Sequence, residues 1–178
     1  MNKISTFPAF LFALTMFCSC SDVQFEKPQP VWVTKNETMI PKNLHGYYAS
    51  GKDTLRITEK RIVDNKIKPD FDLNLSDSVL LKIYNHNYFL NVWGEEKKNW
   101  TIIMAREEKN YIMLYTLSCQ DSTVQKRLKA ITTVKEIKDS AREVIDCIIN
   151  PTAKEFRKIL EQNLFTASSG NEAIFFFE

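Results

Sequence analysis

The chain has 178 residues, and its 24 basic and 22 acidic side chains leave a formal charge of +2. That near balance excludes the clustered, strongly basic footprint of a nucleic-acid-binding domain. Hydrophobic and charged contents of 44% and 26% match a folded globular body. Glycine is scarce and neither G-x-x-x-x-G-K-[ST] nor G-x-G-x-x-G occurs, which excludes the common phosphate-binding loops. Abundant aromatic, Ile, Val and Thr residues favour strands.

The first 19 residues read as a secretory signal. Lys3 is followed by an apolar run from Phe7 to Phe17, with small Ser19 before Cys20. The run is too short to span a bilayer as a helix, which takes about 20 apolar residues. Phe17-Cys18-Ser19-Cys20 resembles the cleavage site of bacterial lipoproteins, although Phe17 stands where Leu is preferred. The resemblance implies that Cys20 becomes the lipidated N-terminus, carrying acyl chains such as palmitate. An ordinary signal peptide cut near Ser19 or Ser21 is the alternative. Loss of Lys3 leaves 23 basic and 22 acidic residues, a net charge of +1.

Residues 20–39 read as the lipidated cysteine and a flexible tether. The stretch is polar and carries Pro28 and Pro30, which cannot donate to a strand ladder. Val31, Trp32 and Val33 interrupt it as a segment that can dock on the body. Residues 40–178 are then expected to form a single β-rich domain of one core.

Leu55 and Ile57 alternate with Thr54, Arg56 and Thr58, the period of a half-buried strand. Ile62 and Val63 extend it or form the next short strand. Residues 64–78 read as a loop that returns as a strand through Phe71, Leu73 and Leu75. From 79 to 117 four strands are predicted, at 79–84, 88–93, 100–105 and 111–117, joined by short polar turns. Such a series is an antiparallel meander. A short helix over 122–130 follows, with Val124, Leu128 and Ile131 on one face. Residues 135–142 read as a polar connection. Residues 143–150 fit both helix and strand patterns, and their β-branched density favours a strand. The spacing predicts an amphipathic helix over 153–164, opened by a capping box of Thr152 and Glu155. Residues 173–177 read as a final strand. The expected fold is mainly β (α+β): a curled antiparallel sheet or partly closed barrel of eight or nine strands, with a meander and a late amphipathic helix.

Leu44-His45-Gly46-Tyr47-Tyr48 and the strand after it resemble the opening of lipocalin-like domains, with Tyr48 where Trp is usual. The Cys20 signal, the two prolines, the meander and the Asn150-Pro151-Thr152 helix start together resemble the small lipoproteins common in Bacteroidota. Those likenesses imply a β-rich body on a lipid anchor in the cell envelope, at the outer membrane, facing the periplasm or at the cell surface. They imply no catalytic residue.

His45 and His86 lack the spacing of a metal-ligand pair, and Ser76-Asp77-Ser78 and Asp121-Ser122 lack a nucleophile context. Asp70-Phe71-Asp72 alternates oxygen ligands but no closing Gly and Glu follow, so it is no EF-hand. Neither catalytic residue, metal nor cofactor is expected. Cys119 and Cys147 are the thiols left after processing, either as a disulfide or as two buried free cysteines. The aromatic set is the best functional lead, with Tyr48, Tyr84, Tyr88, Trp93, Trp100 and Tyr111 as candidate contacts. The expected function is a non-catalytic envelope lipoprotein binding a partner protein or a small apolar ligand. A lipocalin-like carrier with an internal cavity is the alternative, and a small envelope hydrolase comes third.

Overall fold

The computed structural model describes residues 23–50, 53–64, 72–108, 111–141, 144–167 and 174–177. The signal segment and Cys20 lie outside the described residues. In chain order the strands are β1 (Val23–Phe25), β2 (Gly46–Ser50), β3 (Asp53–Ile57), β4 (Arg61–Asp64), β5 (Asp72–Asn74), β6 (Val79–Tyr84), β7 (Asn87–Gly94), β8 (Asn99–Glu107) and β9 (Tyr111–Thr116). Helix α1 (Ser122–Ile131), β10 (Val134–Lys138), β11 (Val144–Ile149), α2 (Ala153–Glu161), β12 (Thr166–Ala167) and β13 (Ile174–Phe177) complete the order. A 3-10 turn at Lys42–Leu44 precedes β2.

The fold is mainly β, of α+β class, with a curled sheet that does not close into a barrel. Strand β8 organises it. One edge of β8 pairs with β7 from Asn99 to Arg106. The other edge is divided: Trp100 and Thr101 face β1, while Met104 to Glu107 face β9. The sheet therefore forks. One arm runs β8–β1–β11–β10, and β1 and β11 are parallel. The other runs β8–β9–β13–β2–β3–β4–β5 and curls back over the meander.

Alternation along β7 and β8 sends apolar side chains to both faces, so two cores form. On one face Phe89, Ile102 and Met104 pack with Phe25, Leu128, Ile149, Phe156, Ile159 and Leu164. Phe156 of α2 is the hub, its ring edge-on to Phe25 at 6.0 Å, Phe89 at 5.9 Å and Phe165 at 6.1 Å. On the other face Leu81 and Ile112 meet Tyr48, Leu55, Ile57, Ile40 and Leu44 of the curled arm.

The meander forms as expected: β6 has the expected bounds, β7 and β8 run longer at both ends, and β9 stops one residue short, at Thr116. Both helices form with their caps. Asp121 accepts from the Thr123 and Val124 amides at 2.7 and 3.2 Å, and Thr152 and Glu155 make the full capping box.

Several expectations are corrected. Residues 23–39 are not a free tether. Val23, Gln24 and Phe25 are buried between β8 and β11, and the Val23 amide donates to the Leu117 carbonyl at 2.8 Å. The folded body therefore includes Val23, ahead of the expected start at residue 40. Trp32 docks as anticipated, 5.1 Å from Tyr84 and 5.9 Å from Phe156. Residues 135–138 of the supposed polar connection belong to strand β10, with Glu136 opposite Cys147. Thirteen strands stand among the described residues, against eight or nine expected, while the two α-helices are at the expected places. The excess is in segments of two to five residues, where pairing with distant strands supplies the order that local pattern does not.

Cys119 and Cys147 are joined as a disulfide, with their Cα atoms 6.1 Å apart. The bond ties the connection between β9 and α1 to β11 beside β1. Among the described residues no helix is long and apolar enough to cross a membrane.

Candidate ligand cleft

The aromatic candidates separate into three environments. Tyr48 is wholly buried and its hydroxyl donates to the Leu44 carbonyl at 2.9 Å. Burial, with the nearby Glu107 and Tyr88, pushes its phenol up to about 12. It is a core residue and not a contact for a ligand, which corrects the expectation. Tyr88 and Tyr111 are half-buried; Tyr88 packs against the second core and its hydroxyl accepts from Asn43 Nδ2 at 3.2 Å.

Trp93 and Trp100 face each other across the β7–β8 ladder, with ring centroids 5.3 Å apart. Together with Ser76, Asp77 and Ser78 they line an open, shallow depression of about 480 Å³. The Ser76–Ser78 turn closes on Val79 by a reciprocal pair of backbone hydrogen bonds.

Tyr84 belongs to a different site, a cleft of about 530 Å³ between the β6–β7 hairpin and α2. Its rim follows from two left-handed turns. Asn85 and His86, with φ of 50° and 61°, make the two-residue hairpin turn, a conformation that Asn tolerates and the type I′ geometry requires. Asn163, at φ 51°, terminates α2 in a Schellman arrangement: Leu164 N–H donates to the Ile159 carbonyl and Asn163 N–H to the Leu160 carbonyl. Asn85 and Asn163 thus face one opening from two elements.

The walls combine rings and guanidinium groups. Tyr84, Tyr115, Met104, Leu160 and Phe165 supply the apolar surface. Arg106 of β8 lies over the Tyr115 ring at 5.5 Å, and its Nε donates to Asn87 Oδ1 at 3.1 Å. Asn87 is itself fixed by its amide, which donates to the Asn85 carbonyl at 3.0 Å. Arg157 of α2 lies over the Trp32 ring at 4.8 Å. Both are cation–π arrangements that hold the side chain by its face. The indole Nε1 of Trp32 is buried without a hydrogen-bond partner among the described residues.

The cleft is only partly legible in the sequence. The aromatic set includes its rings Tyr84 and Tyr115, but no local spacing relates them to Arg106 of β8 or to Arg157 and Leu160 of α2. His86 stands in the hairpin turn beside the cleft, and His45 Nε2 lies 2.9 Å from the Ile40 carbonyl. Asp72 pairs with Arg61 in a two-point salt bridge, which occupies its carboxylate. Asp70 and Phe71 lie outside the described residues. No group of three His, Cys, Asp or Glu side chains converges among the described residues.

Compared with protein-family models, curated proteins and solved structures, the chain has no match.

Proposed function

We propose that this chain is a non-catalytic protein of the cell envelope, held to a membrane by a lipid on Cys20, whose body binds a small ligand in the cleft between the β6–β7 hairpin and α2. The observation that carries the binding reading is the cleft itself. About 530 Å³ is a volume suited to a small organic molecule, and its walls are aromatic and aliphatic with a few fixed polar groups. The anchor rests on the signal and on Cys20. Only Ser21 and Asp22 separate Cys20 from β1, so three residues of reach, about 10 Å, would set the body close against the bilayer.

A lipocalin-like carrier has less support. The place for an internal cavity, inside the curled arm, is occupied by Tyr48, Leu55, Ile57, Leu81 and Ile112. Docking of a partner protein has one specific feature in its favour, the half-buried Trp93–Trp100 pair in its open depression.

Two measurements test the proposal. Metabolic labelling with palmitate should mark the wild type and not Cys20→Ala; a labelled variant overturns the anchor. A neutral phenylnaphthylamine dye should bind the purified protein saturably, one per chain, and Leu160→Trp, which fills the cleft, should abolish binding. Unchanged dye binding in Leu160→Trp overturns the cleft as the site.

A further inference from the structure

We infer that the cleft selects a ligand with an anionic head, a carboxylate or phosphate monoester, on an apolar body; the inference rests on the reading of the cleft as a binding site. Several cations of this protein are balanced by carboxylates. Arg61 pairs with Asp72, Lys97 with Asp146, and Lys129 and Lys138 with Glu136. The two arginines of the cleft differ from these. Among the described residues neither Arg106 nor Arg157 makes an ion pair with a carboxylate. Each is held by an aromatic face, Tyr115 under one and Trp32 under the other. Glu161, one turn beyond Arg157, lines the same cleft and is exposed, and no salt bridge joins it to either guanidinium.

Stacking fixes the plane of a guanidinium without using its edge, where the N–H donors lie. At Arg106 the hydrogen-bond acceptor among the described residues is neutral: Asn87 Oδ1 takes Nε–H, which leaves the two terminal nitrogens for another acceptor. Two positive groups with unused donor edges, placed on the wall of a concave apolar site, make the geometry in which a carboxylate or phosphate is held by charge-assisted, two-point hydrogen bonds. The rings of Tyr84, Tyr115 and Phe165 and the side chains of Met104 and Leu160 then receive the apolar part of the molecule. A neutral apolar molecule would fill the same volume while leaving both guanidinium edges without an acceptor inside it.

Calorimetric titration of the full mature protein with decanoate, decyl phosphate and decanol tests the inference. The expected result is that one or both anions bind about ten-fold or more tightly than decanol, the range of a hydrogen bond to a charged group. The preference should collapse in Arg106→Gln/Arg157→Gln, whose urea midpoint reports whether it is folded. Arg106→Lys/Arg157→Lys, which keeps the charge without the planar fork, should retain part of it. A stronger response to decyl phosphate than to decanoate assigns a phosphate ligand, and the reverse a carboxylate; either supports the inference. Equal binding of decanol overturns the anion selectivity and leaves the cleft reading intact. A preference that persists in the folded glutamine double variant also overturns it. Binding of none of the three overturns both.

Discussion

Gln29 and Asn91 grip each other through two reciprocal hydrogen bonds across 62 positions of sequence. The Gln29 amide donates to Asn91 Oδ1 at 2.6 Å, and Asn91 Nδ2 donates back to the Gln29 carbonyl at 2.9 Å. Both residues are fully buried. Asn91 thereby acts as one rung of a ladder for a segment that belongs to no sheet. With Lys82 Nζ donating to the Pro30 carbonyl at 3.1 Å, it fixes the N-terminal segment onto β6 and β7. Trp32, and through it Arg157, is positioned from there.

Replacement Asn91→Leu leaves a buried N–H and a buried carbonyl of Gln29 without partners. Each orphaned group costs about 1–3 kcal/mol. Urea unfolding should show a loss of about 2–5 kcal/mol. A loss below about 1 kcal/mol would mean that water or another group takes over both bonds.

Lys82 is buried with its Nζ donating to the Pro30 carbonyl, and desolvation lowers its affinity for the proton below the ordinary value of 10.5. In the window between the lowered folded value and 10.5 the unfolded chain binds more protons than the native one. Stability contributed by this group therefore rises with pH through that window and is least when the ammonium is charged in both states. Lys82→Met removes the effect. Its stability relative to wild type should be most favourable at pH about 7 and decline as the pH approaches about 10. Urea midpoints of the two proteins across this range check the sign; a difference that grows with pH contradicts it.

The Cys119–Cys147 disulfide closes a loop with a sequence separation of 28. Loop-closure entropy for that length corresponds to about 3–4 kcal/mol. Cys119→Ser/Cys147→Ser should lose that much in urea unfolding. The loss should match the effect of reductant on the wild type, and reductant should not move the midpoint of the double variant.

Strand β1 supplies pairing for both β8 and β11, so a chain begun at Ile40 removes the element that joins the two. Phe25 also leaves the core around Phe156. Such a chain should lose its near-ultraviolet circular dichroism and its cooperative urea transition, while a chain begun at Asp22 keeps both. Equal midpoints for the two would return residues 22–39 to the role of a tether.

The mainly β class, the meander from Val79 to Thr116 and both helices were readable from the sequence, because their signals are local. Alternation over six to nine residues, Asn-containing or charged turns, and a capping box at fixed spacing each lie within one element. The expected anchor at Cys20 is of the same kind, a linear pattern. Tertiary structure decided the rest. Val23-Gln24-Phe25 is three residues long, too short to show a period, and becomes a strand only because Cys147, Ile148 and Ile149 lie alongside it. Tyr48 and Tyr84 are the same residue type on similar strands, and only the curl of the sheet buries one and places the other in a cleft. Arg106 and Arg157 are 51 positions apart, and Asn87 and Trp32, which orient them, lie elsewhere again. Short-range pattern specifies which segments are extended or helical. Which side chains share one solvent-facing volume depends on long-range packing of the hydrophobic faces, and that is where this protein's cleft was made.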